Sequence, residues 1–456
     1  MTHFGISRAL LVLIFCVLAG TAFVPAGPRE CIPVAWRTQA SSASASQAAQ
    51  APAQTAERRV TAYTLPPDLY KKAHRLGQIA FWGQLITIIY SLTTLCLILK
   101  WGLGPKFRDW AEKTASAHFF QAAIFAPLFI LTFDSFLLPI SIARHWVSLK
   151  FGLSIQGWPS WFWDWTKGQM IAVVIGTLLV WLLYAVIRQS PRRWWFFFWL
   201  FSIPILVLVI FLTPLVVDPL FHKFAPLSEK DRALAFGLEQ LVQRAGQDIP
   251  VERMFWMGAS EKSTALNAYV TGVGASKRIV VWDTTIAKMT TPQIVAVAGH
   301  EMGHYVLNHI WKGLAFAAVL LIVFFYLGFR FIRGLLGRWA GTWKIRGVDD
   351  WASLPALLLL LTLFDLCASP IESAFSRHLE HQADQYSLEV THGLTPDPGQ
   401  IAAQAFQVLG EVDLSDPAPN PVAVFLFYDH PPIPDRIRFS LTYDPWSKGQ
   451  QPEFVH

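Results

Sequence analysis

Six long and predominantly apolar segments set the strongest limit on how this chain can fold. They cover residues of about 78–99, 119–142, 169–187, 194–217, 313–332 and 352–369. Each is close to the roughly 20 residues that an α-helix needs to cross the ~30 Å hydrocarbon core of a bilayer. With 53% hydrophobic and only 15% charged residues, the composition also departs from that of soluble domains. The segments therefore predict six membrane-spanning helices.

The N-terminal region adds a shorter apolar run over residues 9–24, preceded by one arginine and ending in small residues. Residues 1–26 are therefore predicted to be either a signal peptide or a first span, which makes the total six or seven. Residues 27–76 are predicted to be a linker and an N-terminal segment. Within them, residues 38–56 are rich in Ala, Ser and Gln and are expected to be disordered.

The spans divide the rest of the chain into alternating membrane and water-facing parts. Residues 77–217 hold four spans, 218–311 a first polar region, 312–370 two spans and 371–456 a second polar region. In the first polar region, an amphipathic helix is predicted after Ser228 as N-cap, and a second helix after Thr291 as N-cap. Between them, "KSTALNAYVTG" and "SKRIVVWDTTI" predict a β-hairpin. The predicted fold is a predominantly α-helical polytopic membrane protein with a small β-sheet.

The charges indicate a lipid bilayer as partner and no nucleic acid. Most Lys and Arg residues lie at the ends of apolar runs, as in "ARHWVSLK" and "GFRFIRGLLGR", so the net charge of +6 is attributed to membrane flanks. The four cysteines form no CxxC pair. They predict neither a disulfide framework nor a thiolate zinc site.

The stretch "VAVAGHEMGHYVL" contains the pattern HExxH. Residues four apart lie on one face of a helix, so His300 and His304 can bind the same metal ion. Glu301 can then act on a water molecule without being a ligand, as in HExxH metalloproteases. Zinc suits such ligands, and Gly303 is expected to leave space beside the metal. The alternative is a pair of interfacial histidines beside a span, which these helix-compatible flanks disfavour.

A catalytic zinc needs a third protein ligand, and "ESAFSRHLEHQADQYSLEV" provides the candidates. Glu380 and Asp384 are four apart and share a helix face, which favours a ligand backed by a second carboxylate. The spacing leaves three competitors open: Glu372, His378 and His381. A charged, solvated helix without a metal is the remaining alternative.

Six blocks in order resemble the type I CAAX prenyl endopeptidases, or a-factor-converting enzymes, over residues of about 60 to 440. The blocks are "DPLFHKFAPL", "STALNAYVTG", "SKRIVVWDTTI", "IVAVAGHEMGHYVLNH", "SRHLEHQAD" and "HPPIPDR". The resemblance implies an integral-membrane gluzincin with a ring of helices around a water-filled chamber. It implies one Zn²⁺ per chain, held by His300, His304 and Glu380, and Glu301 as the catalytic glutamate.

The resemblance also implies roles for residues that spacing does not rank. Asp384 would orient a zinc-binding histidine. Asn267 and Tyr269 would lie on an edge strand that binds an extended peptide by main-chain pairing. His430 would steady the oxyanion, and Arg436 would organise the same region.

The implied activity is hydrolysis of peptide bonds in peptide or protein substrates by a zinc-activated water, with Glu301 as general base. The substrate is prenylated in the family, and a broader peptide-processing or quality-control protease is an open alternative. Two alternatives from other classes are a non-catalytic scaffold that keeps a zinc site and a transporter. The transporter would use Asp134 and Asp365, which lie inside spans, although the chain shows no repeated half.

The resemblance implies a multi-pass protein of the cell inner membrane with the zinc site towards the cytoplasm. Simple alternation of six spans after a cleaved signal gives the opposite orientation. Lys and Arg residues flank the spans on both sides, so their distribution does not decide between the two. The oligomeric state is not predicted.

Overall fold

The computed structural model describes residues 59–272 and 274–455. The predicted signal peptide or first span in residues 1–26 and the Ala/Ser/Gln-rich stretch 38–56 lie outside the described residues.

The N-terminal part is a series of long helices joined by short connections. Its helices are α1 (Pro67–Lys100), α2 (Leu103–Thr114), α3 (His118–Phe151), α4 (Trp158–Gln189) and α5 (Trp194–Leu212). All but α2 are long and apolar enough to cross a membrane. A π-helical turn, Thr213–Val217, and a 3₁₀ turn, Asp218–Leu220, lead out of α5.

The first polar region folds into short helices around one small sheet. It contains β1 (Phe224–Pro226), α6 (Leu227–Lys230), α7 (Arg232–Arg244), β2 (Met254–Met257), β3 (Ala268–Thr271), β4 (Arg278–Trp282), α8 (Asp283–Lys288) and α9 (Thr291–Val306). The strand order is β1-β2-β4-β3, with only the β2–β4 pair parallel. The predicted hairpin is confirmed as β3 and β4, and β3 is an edge strand.

Two further long helices, α10 (His309–Trp343) and α11 (Leu354–Thr391), bring the candidate spans among the described residues to six. This confirms the six spans predicted from the apolar segments. The second polar region follows as the end of α11 with α12 (Pro398–Val412), α13 (Pro421–Phe427) and α14 (Ile433–Thr442).

Most of the spanning helices are longer than the apolar segments, because they continue as helices into polar sequence beyond the membrane part. The most consequential case is α11, whose 38 residues extend for roughly 57 Å at 1.5 Å per residue. Pro370 inside it lacks an N–H for the Leu366 carbonyl, and the Ser369 hydroxyl donates to that carbonyl at 3.0 Å. One helix thus carries the chain from the bilayer into the second polar region.

The six spans contact one another in a closed ring that follows chain order. Each of α1, α3, α4, α5 and α10 packs against the next span, and α11 packs against both α10 and α1. The end of the ring near α2 is filled by Trp351, which is 1% exposed and lies with its ring centroid 4.7 Å from that of Tyr184. Beside it, Arg108 of α2 binds Asp350 with an Nη1–Oδ2 distance of 2.6 Å.

Two predicted helix starts are corrected by the structure. Ser228 lies inside the short helix α6, and the N-cap of α7 is Asp231, whose side chain accepts from Leu234 N at 2.9 Å. The N-cap of α9 is Thr290, not Thr291. It forms a capping box with Gln293, because that residue is in the position to bond back to the Thr290 N–H, at 3.0 Å.

The hairpin loop requires glycine at residue 272. Gly272 has φ +94°, and a β-carbon there would lie 2.2 Å from the Ser276 carbonyl oxygen. The tight loop lets β3 pair with β4 directly. The strand order then leaves the outer edge of β3 without a neighbouring strand among the described residues.

Replacing Asp350 by alanine should destabilise the protein by about 3–5 kcal/mol, because the buried Arg108 guanidinium then lacks its buried counter-charge. The matched control is Asp109→Ala, which removes a 60% exposed partner of the same arginine and should cost under about 1 kcal/mol. Thermal unfolding in detergent, followed by tryptophan fluorescence, measures both. Equal shifts in the two variants would contradict this account.

Candidate metal centre

Helix α9 brings two predicted ligands together on one face. The Nε2 atoms of His300 and His304 are 3.1 Å apart, and both side chains are buried. Their spacing is that of one helical turn, as the HExxH pattern predicts. Glu301 is also buried and lines the same cavity as His300.

Glycines on α9 allow α11 to approach it closely. A β-carbon at Gly303 would lie 3.0 Å from Tyr386 Cβ, and one at Gly299 would lie 3.1 Å from Ser387 Oγ. Gly303 therefore makes room for the neighbouring helix, which corrects the expectation that it leaves space beside the metal. The Ser387 hydroxyl also donates to the Ala296 carbonyl at 2.6 Å and ties the two helices together.

Helix α11 supplies Glu380 as the third member of the cluster. Its Oε2 lies 3.2 Å from His300 Nε2, and its Oε1 lies 3.4 Å from His304 Nε2. Bonds of about 2.0–2.1 Å to a tetrahedral zinc would separate ligand atoms by about 3.3 Å. The three buried donors thus fit a zinc ion, and they are the one such group found among the described residues.

The competitors for the third position lie elsewhere. His378 is exposed, and the His381 ring packs against Phe439 with centroids 4.3 Å apart. Glu372 is buried about two turns before Glu380 and does not belong to the cluster. Of the four residues left open by spacing, the structure groups only Glu380 with the two histidines.

A buried ion pair supports the His300 ring from behind. Asp384 Oδ1 lies 2.7 Å from His300 Nδ1, and Arg436 of α14 contacts both Asp384 oxygens, at 2.6 and 2.9 Å. Asp384 is one turn after Glu380, so the same face of α11 carries a member of the cluster, Glu380, and the hydrogen-bond partner of His300, Asp384. The geometry is that of a carboxylate that fixes the orientation of a metal-binding imidazole.

His430 approaches the cluster from the loop before α14. Its Nε2 lies 3.1 Å from Glu380 Oε2, and its Nδ1 lies 2.9 Å from Asp429 Oδ1. Burial alone would lower the pKa of His430, but the charges of Glu380 and Asp429 outweigh it and raise the pKa to about 9. The imidazole therefore carries an N–H on Nε2, directed at Glu380.

The protein surroundings affect the two histidines of α9 in opposite directions. Burial opposes the charged form of both. It lowers the pKa of His304 below its usual value. The pKa of His300 is raised instead, because its contacts with Asp384 and Glu380 outweigh burial.

The structure separates the two residues predicted to bind substrate. Asn267 lies just before β3, is buried and lines the cavity with His300 and Glu301; its Oδ1 has no hydrogen-bond partner among the described residues. The side chain of Tyr269 lies on the face of the sheet opposite the one that packs against α9, and its hydroxyl donates to Asp218 at 3.3 Å. Only the main chain of Tyr269 can therefore serve a peptide bound along the edge of β3.

Sequence reasoning missed one residue next to the cluster, His309. Five residues along a continuous helix would place it roughly 140° around the axis from His304, out of contact. In the structure Asn308 has φ +58° and interrupts the helix, and His309 Nδ1 lies 3.0 Å from His304 Nδ1. Asparagine tolerates this left-handed conformation better than most residues, which is the one local signal in "LNHIW".

A ring of six apolar helices that carries a buried two-histidine, one-glutamate cluster with an adjacent glutamate defines an integral-membrane metallopeptidase. The model of peptidase family M48 matches residues 228–442, and that of the CAAX prenyl protease N-terminal region, five membrane helices, matches residues 48–223. The chain belongs to peptidase family M48 and is a multi-pass membrane zinc metalloendopeptidase of the CAAX prenyl protease family.

Relatives cover most of the chain. The uncharacterized metalloprotease YhfN of Bacillus subtilis is 34% identical over 75% of this chain and 78% of its own length. CAAX prenyl protease 1 of Saccharomyces cerevisiae is 26% identical over 76% of this chain and 80% of its own. The crystal structure of S. mikatae Ste24p has a TM-score of 0.71 at 22% identity, covers 96% of this chain and 99% of its own, and shows the same fold.

Replacing Glu380 by glutamine should raise the dissociation constant for zinc by more than about 100-fold, because it removes a charged ligand. Loss of a residue that only hydrogen-bonds to a ligand costs about 10- to 100-fold. Glu372→Gln is the matched control: it changes an equally buried carboxylate of the same helix outside the cluster and should keep wild-type zinc affinity. Competition with a chromophoric chelator measures both. Weakened binding in the Glu372 variant alone would reverse the ligand assignment.

Proposed function

We propose that this chain hydrolyses peptide bonds with one zinc ion, held by His300, His304 and Glu380, and with Glu301 as general base. The observation that carries the proposal is the spacing of 3.1–3.4 Å among the three buried donor groups, which is close to the separation of ligand atoms in a tetrahedral zinc site. Glu301 follows the first ligand directly and borders the same cavity.

The residues have complementary parts in the reaction. Zinc would lower the pKa of a bound water and polarise the scissile carbonyl. Glu301 takes a proton from the attacking water and returns it to the leaving amine. The N–H that His430 directs towards the cluster donates to the oxyanion as charge develops there. Asp384, held by Arg436, keeps His300 in the orientation that presents Nε2.

The substrate is a peptide segment bound in extended form along the outer edge of β3. The main-chain groups on this edge have no neighbouring strand among the described residues, so an extended peptide can pair with them. The Asn267 side chain lies where that edge meets the cavity, and its buried Oδ1 is available to a peptide N–H. The relative named CAAX prenyl protease 1 makes prenylated peptides the first class to test, and plain peptides represent a general processing or quality-control role.

An inner-membrane location with the zinc site towards the cytoplasm stays a prediction from the family resemblance. The position of the cluster supports a zinc site at the membrane surface. His309 begins α10, and Glu380 lies in the polar end of α11, so the cluster is at one edge of the membrane part.

Glu301→Gln should abolish turnover, with kcat lowered by at least about 10²–10⁴-fold, because the general base is lost while the three ligands stay. The measurement is cleavage of matched prenylated and plain peptides by purified protein, with and without a chelator, together with the zinc content of the variant. Undiminished cleavage by the variant, or cleavage by the wild type that resists the chelator, would refute the mechanism. Absence of cleavage by a zinc-loaded wild type would favour a scaffold.

Peptides with single N-methylated backbone amides test recognition by the strand edge. Alternate positions should lose affinity, seen as a raised KM, because only every second N–H of an added strand points to its partner. The unmethylated peptide with changed side chains at the same positions is the control. Equal sensitivity at consecutive positions would show that the peptide does not bind as an added strand.

A further inference from the structure

The Nδ1 atom of His304 contacts a second histidine, His309, whereas the Nδ1 atom of His300 contacts the carboxylate of Asp384. His304 Nδ1 lies 3.0 Å from His309 Nδ1, and His309 Nε2 lies 3.2 Å from Gln382 Oε1 on α11. His309 is 0% exposed, and the two rings meet edge to face with centroids 5.1 Å apart. The three side chains form one continuous line of hydrogen-bonding atoms that ends on a neutral amide.

The hydrogen-bonding capacity of these groups permits one arrangement when His304 Nε2 is a ligand. The neutral His304 ring then carries its proton on Nδ1, which needs an acceptor. His309 Nδ1 accepts only if the His309 proton is on Nε2, and that N–H in turn donates to Gln382 Oε1. Each ring is thus held in a single tautomer.

The break at Asn308 makes this line possible. A continuous helix would carry residue 309 away from residue 304, whereas the left-handed Asn308 starts α10 in a new direction with His309 as its first residue. Gln382 comes from the same stretch of α11 that supplies Glu380 and Asp384. The partner of His304 therefore depends on the junction of a catalytic helix with a membrane span.

We propose that His309 and Gln382 are positioning residues that hold His304 in its metal-binding tautomer and orientation. They are the neutral counterpart of the charged pair Asp384 and Arg436 at His300. Outer partners of this kind fix the ring and raise its basicity as a ligand. The proposal rests on the zinc site proposed above and concerns zinc affinity, so it can be tested without any substrate.

The decisive variant is His309→Phe, which keeps a buried ring and removes the acceptor. Its dissociation constant for zinc should rise about 10- to 100-fold, as expected for loss of an outer partner. Gln382→Leu should raise it by a smaller factor, since His309 is still present. His309→Gln, whose amide oxygen can accept from His304, should recover part of the lost affinity. His378→Gln, an exposed histidine of α11, is the matched control and should bind zinc as the wild type does.

Zinc affinity is measured on the full chain in detergent by competition with a chromophoric chelator, and the visible spectrum of the Co²⁺-substituted protein reports the ligand geometry. A changed Co²⁺ spectrum in His309→Phe and Gln382→Leu, but not in His378→Gln, is expected. Should His309→Phe fail to fold, Gln382→Leu and His309→Gln carry the test. Zinc affinity within about twofold of wild type, with an unchanged Co²⁺ spectrum, in every folded variant at His309 and Gln382 would overturn the proposal. If the wild type binds zinc and these variants lose affinity while no peptide is cleaved, only the proposed peptidase mechanism fails.

Discussion

The close packing of α9 against α11 is the contact on which the rest of this structure depends. Glycine at residues 299 and 303 removes the side chains that would hold the helices apart, and α11 places Tyr386 and Ser387 in the space. At this distance a carboxylate on α11 reaches within 3.2–3.4 Å of two imidazoles on α9. The grouping of Glu380 with the two histidines and the contact of Asp384 with His300 both follow from this one approach.

The cluster lies where the membrane-spanning part of the molecule meets the polar regions outside the membrane. Helix α11, which supplies Glu380, and helix α10, which starts at His309 beside His304, are both candidate membrane spans, and each has one end at the cluster. The carboxylates of Glu380 and Asp384 lie at the polar end of α11, where burying charge costs less than in hydrocarbon. The small sheet adds an element that helices cannot provide: near the cluster, β3 has an outer edge with no strand beside it in the described part of the chain.

Much of this arrangement was predictable because its signals are periodic or local. The number of spans follows from the number of apolar segments of about 20 residues, and the contact between His300 and His304 follows from their spacing of four residues on a helix. Spacing favoured Glu380 through the helix face that it shares with Asp384, but it left Glu372, His378 and His381 open, since the choice depends on which face of α11 meets α9. The contact of His309 was missed for a related reason: it requires a single left-handed residue, Asn308, that breaks the periodicity on which the prediction was based. The N-cap Asp231 was misplaced by three residues, because the short helix α6 precedes it, and the N-cap Thr290 was misplaced by one residue.

The proline in α11 has a mechanical meaning. At Pro370 the helix loses one main-chain hydrogen bond and keeps only the Ser369 hydroxyl on the Leu366 carbonyl. This turn lacks one of the main-chain bonds found along the rest of α11, and it lies ten residues before Glu380, between the apolar part of the helix and its polar end. Proline is a usual place for a helix to kink, so any bend between the membrane part and the part that carries the cluster would be centred on this turn.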